Sequence, residues 1–147
     1  MRKHDYDVVV VGAGVGGLAA ATAAARAGAS ALIVDAAPEI AAKVKGEVIK
    51  QRNTILQKLF RAPLPDWIIK GASKRRRIFS PSCKNHFIQM KDEVSLMIEY
   101  RPLMSLLAKA CVESGAELCL NTVVTGAVVD DREQVTGVSV RQAGVSA

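Results

Sequence analysis

The thirty residues from Tyr6 to Asp35 leave this chain few choices of fold. Asp7-Val8-Val9-Val10-Val11 reads as a short apolar strand. Gly12-Ala13-Gly14-Val15-Gly16-Gly17 follows it and fits G-x-G-x-x-G through Gly12, Gly14 and Gly17. The alanine-rich stretch from Val15 to Ala27 reads as a helix, and Ala31–Val34 as a second strand. Asp35 closes the unit, 18 residues past Gly17. Each residue type has a physical reason. Gly12 permits a tight turn out of the strand. A Cβ at Gly14 would collide with a pyrophosphate. Gly17 lets the helix lie close to the sheet. The helix N-terminus offers unpaired N–H groups and the positive end of its dipole to phosphates. Asp35 can accept hydrogen bonds from an adenosine ribose. The same carboxylate would repel a 2′-phosphate and so disfavours NADP. The unit therefore predicts a site for an ADP-containing dinucleotide.

The chain has 147 residues, which suits a domain of ordinary size. Half of it is hydrophobic and only 4% is aromatic, with alanine and valine prominent. That composition fits a parallel sheet under closely packed helices. The predicted fold class is α/β: a Rossmann-like domain with a parallel sheet, an inserted small antiparallel β segment and a β-hairpin. The net charge is +6, and much of the excess lies in Lys74-Arg75-Arg76-Arg77, with Lys70 nearby. Such a run can bind nucleic acid or an anionic membrane surface, or it can be a solvated strand edge or loop. It has no interleaved aromatics and no nucleic-acid-binding fold around it, so no nucleic-acid partner is expected. Peripheral membrane contact stays open.

Cys83, Cys111 and Cys119 form no C-x-x-C. Their odd number and wide spacing point to free thiols in a reducing cytoplasm. Cys111 and Cys119 read as small core residues on a helix and a strand. His4 and His86 are the two histidines, and no Cys/His/Asp cluster has metal-ligand spacing, so no metal site is predicted. Met1–Asp5 leads directly into the first strand. No apolar run reaches 18 residues, and neither a signal peptide nor a membrane span is read.

Residues 36–58 leave the second strand through Ala36-Ala37-Pro38-Glu39, and residues 53–60 read as weakly helical. Pro63, Pro65 and Pro81 break the next stretch. Short β-like runs appear there: Trp67–Ile69, Arg77–Phe79 and His86–Met90. Ser80–Asn85 reads as the turn between two of them. Arg101–Ser114 reads as a helix with Pro102 in its first turn and Leu103, Leu106, Leu107 and Ala110 on one face. Gly115 is its predicted C′ residue. Ala116–Leu120 reads as a parallel strand returning to the sheet. Val123–Val129 and Val135–Val140 form a hairpin around Asp130–Gln134.

The opening Val-Val-Gly-Ala-Gly-x-x-Gly-Gly-Leu-x-Ala-Ala resembles the FAD-binding start of the flavoprotein oxidoreductase and hydroxylase superfamily. Two further segments are similar to it. Ile98-Glu99-Tyr100-Arg101 with the following helix, Gly115-Ala116-Glu117 and Asn121–Val124 looks like that superfamily's second FAD-contact segment. Arg77–Ser82 and Lys45-Gly46-Glu47 resemble the geranylgeranyl reductase branch, although Lys45 stands where that branch commonly has a cysteine. The resemblance implies FAD as cofactor. It implies that Gly12, Gly14, Gly16 and Gly17 line the pyrophosphate and that Asp35 holds the adenosine ribose. It places Lys45 and Gly46 along the cofactor, Arg101 on the FAD from the start of its helix, and backbone groups at Val124 against the adenine. Read without the resemblance, Lys45 is a solvated lysine and Arg101 a surface arginine at a helix start.

Members of this superfamily are usually more than twice as long. The expectation is that residues 1–147 form the N-terminal part of an FAD-binding domain, with residues 36–100 including the start of an inserted β/substrate region. An Ala-Asp-Gly-like turn and a later Gly-Asp motif are missing. The resemblance implies an FAD-dependent oxidoreductase that reduces isoprenoid C=C bonds, with a prenyl-lipid or other small-molecule substrate and NAD(P)H or ferredoxin as external electron donor. An FAD-dependent monooxygenase and a stand-alone or inactive dinucleotide-binding fragment are the alternatives. No catalytic residue is assigned.

Overall fold

The computed structural model describes residues 5–43, 45–51 and 54–142. His4, residue 53 and the Gly144–Ala147 end lie outside the described residues. The chain forms two compact units, one from residues 1–44 and 104–147, the other from residues 45–103.

The first unit is built on a parallel sheet. Strand β1 (Val8–Val11) leads through the glycine turn into helix α1 (Val15–Arg26) and then strand β2 (Ala31–Val34). β1 is all valine and β2 is Ala-Leu-Ile-Val, apolar throughout as suits a parallel sheet packed under a helix. β2 is central, with β1 pairing along one side from Val8↔Ala31 to Val11↔Val34. Strand β6 (Glu117–Cys119) pairs with its other side, parallel, from Leu32↔Glu117 to Val34↔Cys119. Ile33 and Val34 of β2 and Leu18 and Ala21 of α1 are buried. Strands β7 (Thr122–Val129) and β8 (Val135–Gln142) form an antiparallel hairpin. Its turn is held by Asp130, whose Oδ1 accepts from the N–H groups of Arg132 and Gln134, both at 2.9 Å.

The second unit is an antiparallel sheet. Strand β3 (Gly46–Lys50), strand β4 (Ile69–Phe79) and strand β5 (His86–Glu99) lie in the order β3-β5-β4. A short helix, α2 (Thr54–Phe60), precedes a turn of 3-10 helix over Asp66–Ile68. Helix α3 (Tyr100–Glu113) continues directly from β5, beginning in this unit and ending in the first. Gly115, at φ +94°, ends it in the left-handed region as predicted.

Four expectations are corrected. Trp67–Ile69 is not a strand segment. Pro65 precedes a 3-10 turn in which Ile68 N–H bonds to Pro65 C=O at 3.2 Å, and the strand begins only at Ile69. Gly46–Lys50, read as part of a connecting segment, is a strand whose pairing with Ser95–Glu99 no local pattern discloses. The buried face of α3 is Leu103, Met104, Leu107 and Cys111, while Leu106 and Ala110 are only partly covered. Cys111 is in the core, but Cys119 is exposed on edge strand β6, its Sγ 3.3 Å from Thr122 Oγ1.

Candidate functional site

The glycine turn shows three different reasons for glycine. Gly12 has φ +101°, a backbone state that L side chains rarely adopt, and its N–H bonds to Val34 C=O at 2.7 Å. A Cβ at Gly17 would sit 1.9 Å from the carbonyl oxygen of Gly12 and 3.3 Å from Val10 Cγ1. Helix and turn approach too closely there for any larger residue. A Cβ at Gly14 or Gly16 meets nothing within 4 Å. Glycine at those two positions is not required by packing, so the turn has open approach on that side.

Gly14 is the N-cap of α1 and supplies no side-chain cap. The first intrahelical bond runs from Leu18 N–H to Gly14 C=O at 2.9 Å. The N–H groups of the first turn therefore find no acceptor within the helix, and its first turn holds no acidic side chain. This is the electrostatic setting that suits a phosphate.

Asp35, at the end of β2, is half-buried and makes two short hydrogen bonds. Its Oδ2 accepts from Ala13 N–H at 2.6 Å, and its Oδ1 from Ala37 N–H at 2.7 Å. The carboxylate thus ties the middle of the glycine turn to the end of the neighbouring strand. Each oxygen keeps acceptor capacity for a ribose hydroxyl. This bracing role went unread because Ala13 has no side chain to advertise it. Asp35 also fixes the next segment through its backbone: its N–H bonds to Cys119 C=O, and its C=O accepts from Thr122 N–H, both at 2.9 Å. Val124 stands two residues further along β7 and pairs with Val140.

Gly12, Gly14, Gly16, Gly17, Asp35 and Val124 therefore belong to the first unit. Lys45, Gly46 and Arg101 belong to the second. There the sheet register places Gly46 opposite Glu99, which brings two sequence-distant segments, Lys45-Gly46 and Glu99-Tyr100-Arg101, side by side. Lys45 Nζ lies 5.8 Å from the centroid of the Tyr100 ring, within reach of a cation–π interaction. Lys45 and Arg101 are both exposed. Among the described residues no group of three His, Cys, Asp or Glu side chains gathers in a way that could hold a metal ion.

Strand, glycine turn, helix, strand and braced acid together define a dinucleotide-binding protein of the Rossmann-like class. Residues 7–147 match the family of FAD dependent oxidoreductases, and the chain belongs to that family. It is 35% identical to digeranylgeranylglycerophospholipid reductase of Methanocella arvoryzae over 146 residues, covering 97% of this chain and 36% of that protein. The corresponding reductase of Methanocaldococcus jannaschii is 32% identical, over 82% of this chain and 30% of its own length. Among solved structures, a geranylgeranyl bacteriochlorophyll reductase-like protein of Thermoplasma acidophilum superposes with a TM-score of 0.74 at 28% identity. That superposition covers 93% of this chain and 35% of the other. A flavin-dependent brominase superposes at TM-score 0.75 over 96% of this chain and 36% of its own, but at 22% identity it shows the fold alone. The chain spans about a third of the length of the reductases it matches.

FAD, the cofactor of the family, contains an ADP group, and the residues present fit it. The open approach at Gly14 and Gly16 suits a diphosphate, the helix N-terminus suits its charge, and Asp35 has acceptor capacity for the ribose.

Proposed function

We propose that this chain forms the nucleotide-holding part of a flavoprotein reductase that saturates C=C bonds in the isoprenoid chains of a lipid. The observation that carries the cofactor half of this reading is the glycine turn. Gly17 is glycine because helix packing demands it, whereas Gly14 and Gly16 face open space at a helix N-terminus. The isoprenoid half is supported by similarity across almost the whole chain to proteins named digeranylgeranylglycerophospholipid reductases. The halogenase and monooxygenase structures that superpose on the chain share the fold at low identity and do not favour a second reading.

In this reading, Gly12, Gly14, Gly16 and Gly17 let the backbone meet the diphosphate. Asp35 holds the adenosine ribose and the turn together, and backbone groups at Val124 meet the adenine. Lys45, Gly46 and Arg101 lie along the cofactor. When bound, FAD supplies hydride chemistry, with NAD(P)H or ferredoxin replenishing its electrons. The three free thiols agree with a cytoplasmic protein, and no helix among the described residues is long and apolar enough to cross a membrane.

The test is twofold. The purified protein should carry or take up FAD and show flavin absorption. Reduced chemically and supplied with a digeranylgeranyl glycerophospholipid, it should give a product that has gained two hydrogens per double bond. A flavin-loaded protein whose product has instead gained oxygen would replace this reading with a hydroxylase.

A further inference from the structure

The charge of this chain is concentrated in one place. It has 20 Lys and Arg against 14 Asp and Glu, a net +6. Residues 74–91 hold six cations, Lys74, Arg75, Arg76, Arg77, Lys84 and Lys91, and no acid. That segment alone equals the whole excess, and the rest of the chain is neutral in balance. None of the six forms an ion pair with another described residue.

The same segment is the outer end of the β4–β5 ribbon. β3 pairs only with Ser95–Glu99, at the base of β5. β4 pairs with the base through Ile69–Ser73, then shifts register and pairs Arg75↔Met90 through Phe79↔His86. Beyond the shift the ribbon has two strands, with no third among the described residues. An isolated two-stranded ribbon is marginal in water and gains from a surface that covers it. Cross-strand partners share a face. One face therefore carries Arg75, Arg77, Met90, Ile88 and Phe79, the last tilted against His86 at 5.4 Å between ring centroids. The other carries Arg76, Ile78 and Phe87. Phe79, Phe87, Ile88 and Met90 are 47–67% exposed. Apolar side chains that the fold leaves in water are thus interleaved with unpaired arginines and lysines.

We propose that this ribbon end docks the protein on an anionic phospholipid surface. Clustered basic residues are drawn to the negative potential of such a surface, and exposed aromatic and aliphatic side chains enter the boundary between headgroups and acyl chains. Arginine suits the combination, because its stem lies along apolar surface while its head meets phosphate. Charge complementarity selects the lipid, and the interleaved apolar groups favour a bilayer over a purely polar polyanion. The proposal does not rest on the reductase reading. Its residues lie outside the glycine turn, so FAD uptake and vesicle binding fail separately.

The experiment is co-sedimentation of the full chain with phosphatidylglycerol-containing vesicles and with pure phosphatidylcholine vesicles. Binding should be confined to the anionic vesicles, weaken with added salt, and fall roughly tenfold or more in an Arg75→Glu/Arg77→Glu variant. A Phe79→Ser/Met90→Ser variant should also bind less while keeping the salt dependence. Cys83 lies in the turn at the ribbon's end and is exposed. In a Cys119→Ser background, an environment-sensitive fluorophore on Cys83 should brighten and shift to the blue on anionic vesicles. Equal binding by the charge-reversed variant, or vesicle binding with no change at Cys83, would overturn the proposal. Retention of duplex DNA in place of anionic vesicles would also overturn it and assign the ribbon to nucleic acid.

Discussion

Gly14 and Gly17 stand three residues apart and answer to different forces, and mutation should separate them. Gly17→Ala forces a Cβ to within 1.9 Å of a backbone carbonyl. It should cost about 3 kcal/mol of stability, measured by urea unfolding. At Gly14 an added Cβ meets nothing within 4 Å, so the melting temperature of Gly14→Val should stay near the parent's while dinucleotide binding is lost. Asp35→Ala removes an acceptor for a ribose and two backbone hydrogen bonds at once. It should weaken FAD binding by about 1–3 kcal/mol in a calorimetric titration and lower stability as well. Of these positions the packing demand at Gly17 was legible in the sequence, because a steric demand on Cβ is written in residue type. The bracing role of Asp35 was not, because its partners are backbone N–H groups. Asp7 offers a pH test. The Ser30 hydroxyl, and then its backbone N–H, hydrogen-bond the Asp7 carboxylate and hold its pKa below the ordinary value. Its contribution to stability is therefore complete above about pH 4 and is lost as pH falls through the depressed value. Asp7→Asn should flatten that part of the acid unfolding profile, and an unchanged profile would remove the assignment.

At the scale of elements, legibility followed range of interaction. The βαβ opening, α3 and the β7–β8 hairpin are set by local periodicity and turn residues, and each appears within a residue or two of its predicted bounds. β3 was hidden because its five residues become a strand only by pairing with Ser95–Glu99, far along the chain. The basic run of β4 shows the same limit. It has no aromatics interleaved in sequence, yet Phe87 and Ile88 stand across the ribbon from its end. On α3, periodicity found the buried stripe but displaced it, since Met104 and Cys111 lie in the core. Desolvation in the core pushes the Cys111 thiol's pKa up, with the Thr22 hydroxyl acting the other way. Leu107→Ala should cost about 2–5 kcal/mol, measured by thermal or urea unfolding.

At the scale of the molecule, the two units divide the candidate residues between them. The glycine turn, Asp35 and Val124 belong to one, and Lys45, Gly46 and Arg101 to the other. The family match and the glycine turn agree on the cofactor. The most direct measurement is a titration of FAD into the full chain and into its Gly14→Val variant, followed by flavin fluorescence, with melting temperatures recorded for both. The account predicts saturable binding by the parent chain and its loss in a variant that melts as the parent does. Equal binding by the two proteins would contradict it.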